Sequence, residues 1–238
     1  MSATFPYVHK NILWRAAAFA LYYGIALPLV TLYIRCVNRT RFVNRKALRR
    51  IKGGCFLYGN HTHWSDAFLP HVAAAMKRTY MIAGPDAVSI KGIRNIVQMV
   101  GGIPVPSQLK TLRQFSETVK LRCAQGSCIT VYPEAHIWPY YTGVRPFPPT
   151  SFTYPAEMRV PVVAMVTRYR KSRLFQTPAR TVVFSDPIVA EPWMNAREAR
   201  DYFHQRVSRF MRETAEKPDN FEYIRYEQRR EEPVPSDI

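Results

Sequence analysis

Short apolar runs alternate with helix-like stretches in the part of the chain that follows residue 52. Strong β-formers dominate these runs, and polar or glycine-containing segments bound each of them, as is typical of buried strands. The predicted strands cover residues 55–58, 79–83, 103–105, 128–132, 160–167 and 181–184.

Two segments have the apolar spacing of amphipathic helices. One covers residues 107–125, with Leu112, Phe115 and Val119 on one face, Ser107 as its N-cap and Gly126 as its terminator. The other covers residues 195–216. Strands that alternate with helices predict an α/β fold with a mostly parallel central sheet flanked by helices.

An uncharged apolar segment precedes this domain. Residues 16–34 lie between Arg15 and Arg35, and Pro28 predicts a kink among them. As a helix the segment would be about 28 Å long, close to the thickness of the hydrocarbon core of a bilayer. The prediction is a membrane-inserted helix, either spanning or half-inserted. A buried core helix and a cleaved signal peptide are the alternatives.

Basic residues are concentrated around this segment. The 238-residue chain has 34 Lys and Arg against 17 Asp and Glu, a formal net charge of +17. No acidic residue precedes Asp66, and eight basic residues lie between Arg35 and Lys52, inclusive. This flank favours the cytoplasmic side of the cell membrane for the following domain, and it would bind anionic headgroups.

The same pattern divides the chain into three parts. Residues 1–52 are expected to be the membrane anchor with its basic flank, residues 53–216 the catalytic domain, and residues 217–238 a polar tail. The charge alone also fits a second class of protein, a non-catalytic binder of nucleic acid or anionic membranes.

The segment from Asn60 to Asp66 carries the clearest chemistry. It follows the predicted strand 55–58 and precedes an apolar helix predicted over residues 67–76. His61 in the turn and Asp66 in the first helical turn can meet there, as an aspartate that orients a histidine base. No Gly-x-Ser-x-Gly motif is present, so the pair is suited to deprotonating a substrate hydroxyl. The alternative is a capping aspartate beside an ordinary loop histidine.

A metal site is a rival interpretation of the same residues. His61 and His63, with Asp66, Glu134 and His136, have the residue types of a zinc site, but Ser65 and Asp66 depart from the metallo-hydrolase spacing. The four cysteines form no Cys-x-x-Cys pair, which favours free thiols in a reducing compartment.

A second polar segment runs from Tyr132 to His136 at the end of a predicted strand. Ligands of α/β sheets bind at the carboxyl ends of strands. Glu134 in this segment is therefore a candidate to hold an acceptor hydroxyl or a basic side chain of the site, or else a capping or salt-bridged glutamate.

Four ordered blocks together resemble the glycerolipid acyltransferase family, the lysophospholipid and 1-acylglycerol-3-phosphate acyltransferases. Asn60-His61 to Asp66 resembles the family's Asn-His-x-x-x-x-Asp block. Gly101-Gly102-Ile103-Pro104-Val105 resembles the second block and Tyr132-Pro133-Glu134 the third. Pro146-Phe147 and Val160-Pro161-Val162-Val163 resemble the last. The resemblance extends from residue 53 to about residue 190.

The resemblance implies roles for individual residues. His61 would be the base and Asp66 the residue that orients it. The residues expected to contact the substrates are Asn60, Ser65, Gly102, Ser107, Pro133, Glu134, His136 and Arg145. Ser107 stands where the family has an arginine that contacts the acceptor phosphate, and Ala135, His136 and Ile137 replace the family's Gly-Thr-Arg. Arg145, Lys110 and Arg113 are candidates to restore a phosphate site.

The implied function is transfer of a fatty acyl group from acyl-CoA or acyl carrier protein to a hydroxyl of a lysolipid. The acceptor would be 1-acylglycerol-3-phosphate or a related lysophospholipid. No metal or cofactor is expected, and the partners would be the lipid membrane and the two substrates, with no nucleic acid. The missing arginines leave a non-phosphate acceptor as an alternative, and a membrane hydrolase is the enzymatic runner-up.

Overall fold

A seven-stranded sheet forms the centre of the molecule, in the order β1-β7-β6-β2-β5-β3-β4. The computed structural model describes residues 6–75, 77–85, 93–106 and 108–227. The strands are β1 (Arg41–Val43), β2 (Cys55–Gly59), β3 (Thr79–Ala83), β4 (Gly102–Pro104), β5 (Cys128–Val131), β6 (Val162–Arg170) and β7 (Ala179–Phe184). All neighbouring strands are parallel except β6 and β7. The predicted α/β fold with a mostly parallel sheet is confirmed.

Helices cover both faces of this sheet. They are α1 (Ile12–Phe19), α2 (Leu27–Leu32), α3 (Lys46–Arg50), α4 (Leu69–Ala73), α5 (Ile93–Met99), α6 (Leu109–Ala124), α7 (Thr153–Met158) and α8 (Ala196–Ala215). Asn195 caps α8 as a capping box with Glu198. Gly126 follows α6 with φ +84°, a conformation that suits a helix terminator. Ser107, the expected cap of α6, lies outside the described residues.

The central strands bury both of their faces. On β2, Phe56 and Tyr58 pack on the side of α6, α7 and α8, whereas Cys55 and Leu57 pack on the side of α3 and α4. Every residue of β2 is buried. Burial on both faces explains why the strands appear as continuous apolar runs in the sequence.

A continuous helix, Ile12–Val37, contains α1 and α2 and is long and apolar enough to cross a membrane. We call it the N-terminal helix. Its turns at Ala20–Ala26 and Tyr33–Val37 are π-helical, and Pro28 stands at the start of α2 directly after the first of these. A wider turn before a proline accommodates the missing N–H and the ring.

One side of the N-terminal helix packs on the domain. Ala18, Tyr22 and Ile34 are buried, and the Tyr22 hydroxyl lies 2.9 Å from Nδ1 of His71 on α4. Large apolar side chains on the rest of the helix are exposed: Ile12, Leu13, Phe19, Ile25, Leu29, Leu32 and Val37. The helix therefore has one face for the protein and one apolar face that the described protein leaves uncovered.

Parts of the chain expected to flank the domain contribute to it. β1 pairs with β7 through Phe42 and Val182 although it lies before residue 53. Arg45 of the basic flank donates to the carbonyl oxygens of Val72 and Ala73 at the end of α4. After residue 217, the backbone N–H of Phe221 donates to the carbonyl of Tyr169 on β6. Residues from both ends of the chain are thus part of the folded domain.

Candidate active site

His61 and Asp66 meet at the carboxyl end of β2. His61 follows the strand in an extended turn, and Asp66 lies in a 3₁₀-helix, Trp64–Phe68, that leads into α4. Nδ1 of His61 lies 3.5 Å from Oδ2 of Asp66. This separation is slightly longer than a hydrogen bond, as is common for catalytic pairs without substrate. The His61 side chain is 16% exposed, so the histidine can reach a ligand while the aspartate stays covered.

Asp66 is fully buried and held in place from two directions. Its Oδ2 accepts hydrogen bonds from the backbone N–H groups of Thr62 and His63, both at 2.7 Å. Its Oδ1 faces Nη1 of Arg180 at 3.5 Å. A buried carboxylate needs such partners, because an unpaired charge in the interior is very unfavourable.

Arg180 contacts Asp66 directly, although the sequence pattern does not mark this arginine as a residue of the site. It lies on β7 with a side chain only 3% exposed, and it also donates to Oγ of Ser65 at 2.8 Å. The same Oγ accepts from the side-chain amide of Asn38, which follows the N-terminal helix. Ser65 therefore connects the N-terminal helix and β7 to the aspartate.

His63 acts as the cap of the 3₁₀-helix. Its Nδ1 accepts from the backbone N–H of Ser65, while the Asp66 carboxylate bonds to the His63 backbone. Burial and the nearby positive charge of Arg180 lower the pKa of His63 to about 4. A neutral imidazole that accepts at Nδ1 suits a structural cap.

The segment after β5 lies against the segment after β2. The backbone N–H groups of Trp138 and Tyr140 donate to the carbonyl oxygens of His61 and Thr62, at 3.1 and 2.8 Å. The ring of Tyr132 stacks on that of His61 with centroids 4.5 Å apart. β2 and β5 are parallel neighbours, so their carboxyl ends bring both polar segments to one edge of the sheet.

Glu134 and Arg145 form a buried ion pair in this second segment. Nε of Arg145 donates to Oε2 of Glu134 at 3.0 Å, and the glutamate side chain is 1% exposed. Oε1 of Glu134 is buried without a hydrogen-bond partner. Burial outweighs the attraction of Arg145 and raises the pKa of Glu134 to about 7. Oε1 is thus an unsatisfied acceptor in the interior beside this ion pair.

Comparison with known proteins identifies the family of this chain. A family model described as Acyltransferase matches residues 37–168, more than half of the chain. The chain belongs to the acyltransferase family. The fold is similar to that of the 1-acyl-sn-glycerophosphate (LPA) acyltransferase PlsC from Thermotoga maritima. The TM-score is 0.59 at 14% sequence identity, over 86% of this chain and 95% of the other. Among curated protein sequences, none matches the chain significantly.

We call His61 and Asp66 the dyad. The structure places only some of the predicted substrate-binding residues of the acyltransferase near it. Ser65 is buried behind it. Asn60 is 1% exposed, and its side-chain amide donates to the carbonyl and accepts from the N–H of Thr167. It therefore connects β2 to β6. Gly102 lies in β4 at the level of Leu57, away from the turn at His61, and it lines an apolar cavity together with Ala67 and Phe68.

The remaining predicted residues of the acyltransferase lie in the second segment or outside the described chain. Pro133 is partly exposed beside Glu134, and His136 is exposed while its carbonyl accepts a hydrogen bond from Arg145. Ser107 lies outside the described residues. No group of three or more His, Cys, Asp and Glu side chains in the described part of the chain is arranged to hold a metal ion.

The pH dependence of stability provides a test of the buried Glu134. A pKa raised to about 7 in the folded state means that the folded acyltransferase holds this proton more tightly than the unfolded chain. Protonated Glu134 therefore stabilises the fold fully below the pKa that the glutamate has in the unfolded chain, and this stabilisation is lost as the pH rises through about 7. We expect the stability of wild type relative to Glu134→Gln to fall by about 1–3 kcal/mol between about pH 5 and about pH 8.

Chemical denaturation of both proteins at several pH values measures this difference. Taking the difference cancels titrations that the two proteins share, including those of His63 and His71. A difference that grows with pH would show that the Arg145 ion pair outweighs burial.

Ala135 stands in a left-handed conformation, with φ +65°, where the family has glycine. The side chain is exposed, so it gains little packing in return. Replacement by glycine removes a strain that a Cβ atom creates in this region. We expect Ala135→Gly to raise the free energy of unfolding by about 0.5–1 kcal/mol.

Thermal or chemical denaturation measures this gain. Ala124→Gly, an exposed alanine with helical backbone at the end of α6, is the matched control and should change stability in the opposite direction. Equal losses in both variants would contradict the assignment of strain to Ala135.

Proposed function

We propose that this acyltransferase moves a fatty acyl group from acyl-CoA or acyl carrier protein to a hydroxyl group of a lysolipid at a membrane. The acceptor would be 1-acylglycerol-3-phosphate or a related lysophospholipid. One observation carries the proposal: Nδ1 of the partly exposed His61 lies 3.5 Å from Oδ2 of a fully buried aspartate. That geometry leaves Nε2 of the histidine to take a proton from a bound hydroxyl.

The proposed reaction is a direct transfer. Nε2 of His61 removes the proton of the lysolipid hydroxyl while its oxygen attacks the carbonyl carbon of the thioester. The C–O bond forms and the C–S bond breaks, and the thiolate receives the proton from the imidazolium. Asp66 stabilises the imidazolium between these two proton transfers. The proposed reaction requires no metal ion and no further cofactor.

Glu134 would orient the acceptor. Its Oε1 lacks a hydrogen-bond partner, and Arg145 fixes the carboxylate from the other side. Because Arg145 is already bonded to Glu134 and to the carbonyl of His136, it has few donors left for a phosphate. This arrangement argues against Arg145 as the residue that recognises the acceptor's phosphate.

An apolar cavity beside the dyad would accept the acyl chain. It has a volume of about 250 Å³, and Ala67 and Phe68, directly after Asp66, form part of its wall. Leu27 and Val30 of the N-terminal helix form the opposite wall. Each CH₂ group transferred from water into such a cavity contributes about 0.8 kcal/mol. The cavity thus offers a binding site for a fatty chain, with the two residues that follow Asp66 in its wall.

The N-terminal helix would attach the enzyme to the membrane surface. Its uncovered face carries Ile12, Phe19 and Leu29, each more than 60% exposed. A helix that packs on protein along one side and is apolar on the other suits half-insertion into one leaflet better than crossing it. The cytoplasmic side of the cell membrane remains the proposed location because of the basic flank.

An acyl-transfer assay with a panel of acceptors tests the proposal. Purified enzyme receives oleoyl-CoA or oleoyl carrier protein together with lysophosphatidate, lysophosphatidylcholine or a monoacylglycerol, and products are identified by mass spectrometry. We expect acylation of lysophosphatidate or another lysophospholipid. Transfer to the monoacylglycerol alone would contradict the phospholipid acceptor, and release of free fatty acid alone would contradict acyl transfer.

A further inference from the structure

A second pocket lies between the N-terminal helix and the domain. Its walls include Trp14, Arg15, Arg78, Tyr80, Gln98 and Arg122, and its volume is about 250 Å³. We call it the arginine pocket. Neither His61, Asp66 nor Glu134 lines it, and no acidic residue among the described ones does.

Register across the sheet separates the arginine pocket from the dyad. Thr79 at the start of β3 and Cys55 at the start of β2 both pair with Cys128. Arg78 and Tyr80 therefore lie near the amino ends of the parallel strands, whereas His61 follows the carboxyl end of β2. Six residues of strand correspond to about 20 Å. The arginine pocket therefore lies away from the dyad, although Gly102 lines both this pocket and the apolar cavity proposed for the acyl chain.

The arginines of the pocket have no carboxylate partners in the described chain. Arg15 makes no side-chain hydrogen bond or ion pair there. Arg122 donates through Nη1 to the side chain of Gln125, while its Nε is buried without a hydrogen-bond partner. A buried guanidinium donor without a partner is unfavourable, and Arg122 also lines the open space of the pocket.

Aromatic rings hold these cations in position. The guanidinium of Arg78 lies 3.5 Å from the ring centroid of Tyr22, and that of Arg122 lies 4.9 Å from the centroid of Tyr80. Stacking of this kind orients a guanidinium. Nη2 of Arg78 donates to the carbonyl oxygen of Met99, which leaves its Nε and Nη1 for a ligand. A planar fork of N–H donors matches the oxygens of a phosphate group.

The position of the arginine pocket indicates which phosphate would enter it. Ile12, Leu13 and Phe19 project from the same end of the N-terminal helix and are strongly exposed. Apolar side chains that enter the acyl region would place Arg15 and the pocket at the level of the headgroups. A phosphate of a membrane lipid is then concentrated at its mouth, although a soluble phosphate has the same chemistry.

We propose that the arginine pocket is a phosphate-binding site, separate from the catalytic dyad, that takes the headgroup phosphate of an anionic phospholipid. It would anchor the N-terminal helix to the membrane surface and set how the domain lies on it. The proposed reaction has two substrates. This site would bind a further lipid, which is not acylated.

Vesicle flotation tests this site with the full-length protein. Wild type and the variant Arg78→Gln/Arg122→Gln are mixed with phosphatidylcholine vesicles, with or without phosphatidic acid. Arg197→Gln/Arg212→Gln removes the same charge from exposed positions on α8 and is the matched control. We expect the pocket variant to lose about tenfold or more of its affinity for the anionic vesicles. The control should stay within about twofold of wild type.

Two further measurements make the result specific. Arg78 contacts Tyr22, so its replacement also weakens the packing of the N-terminal helix; Arg15→Gln and Arg122→Gln, which leave that contact intact, should each reduce anionic-vesicle binding. Calorimetric titration with glycerol 3-phosphate distinguishes the sources. If wild type binds glycerol 3-phosphate and the pocket variant does not, the pocket also accepts free phosphates. If wild type binds only the anionic vesicles, the pocket is specific for a lipid headgroup.

The proposal would be overturned by equal losses in the pocket and control variants, because such losses would report only general surface charge. Absence of any preference of wild type for anionic vesicles, together with no binding of glycerol 3-phosphate, would overturn it as well. Neither readout involves turnover, so a failure of the acyl-transfer proposal leaves this test intact.

Discussion

Replacement of His61 by alanine is expected to reduce the turnover number for acyl transfer by a factor of about 10²–10⁴, the usual contribution of a general base. The variant loses the partly exposed side chain whose Nδ1 lies 3.5 Å from the Asp66 carboxylate. It also loses the stacking contact with Tyr132, which corresponds to about 0.5–1.5 kcal/mol of stability. The fold should therefore survive, and denaturation of the purified variant checks that it does.

His63→Asn is the matched control for this experiment. His63 lies two residues away and caps the 3₁₀-helix, and asparagine is itself a good N-cap. We expect the turnover number of this variant to stay within about tenfold of wild type, since it changes no proton transfer. Equal losses in the two variants would contradict the assignment of the base to His61.

Replacement of Arg180 by methionine is expected to destabilise the protein by about 3–5 kcal/mol, because it leaves the fully buried Asp66 without its positive partner. Methionine occupies a similar volume but cannot donate to Ser65 or face the carboxylate. The loss should appear in the midpoint of chemical denaturation. Activity should fall as well, since the aspartate that orients His61 is no longer held.

Two comparisons separate the role of Arg180 from general loss of an arginine. Arg168→Met removes an arginine from the neighbouring strand β6 whose partner Asp219 is 67% exposed, and it should cost about 1 kcal/mol or less. Adding Asp66→Asn to Arg180→Met removes the stranded charge. This double variant should regain stability without regaining activity, and recovery of neither would contradict the charge pairing.

The dyad and the core of the sheet were predictable because their signals are local. His61 and Asp66 are five positions apart in one turn, and that turn joins a continuous apolar strand to a helix. Burial on both faces gives β2, β5 and β6 the apolar runs from which they were predicted. The helix α8 was predictable from its periodicity and from the Asn195 cap.

The missed features depend on contacts between distant parts of the chain. Arg180 and Asp66 are 114 positions apart, and an arginine before an apolar run is expected to mark the end of a strand rather than to be buried inside it. β1 has only three residues, lies in a basic segment and pairs only with β7 at one edge of the sheet. Neither the buried Arg180 nor the three-residue strand β1 produces a periodic pattern of apolar residues in the sequence.

The distribution of arginines also differs from the sequence-based expectation. Arg145 was a candidate for restoring a phosphate contact, yet it forms the buried pair with Glu134. Arg113 lies on the surface of α6 beside Glu117. Arg15, Arg78 and Arg122 converge instead between the N-terminal helix and the amino ends of β3 and β4. Spacing along the chain could not predict this arrangement because its members come from three separate elements.

The most direct measurement follows the fate of a labelled acyl group. Oleoyl-CoA with an isotopically labelled acyl chain is incubated with lysophosphatidate and either wild type or His61→Ala, and labelled lipid, labelled fatty acid and free CoA are quantified together. The account predicts that wild type forms one labelled diacyl lipid for each CoA released and that His61→Ala forms almost none. Labelled free fatty acid as the main product, or undiminished transfer by His61→Ala, would contradict it.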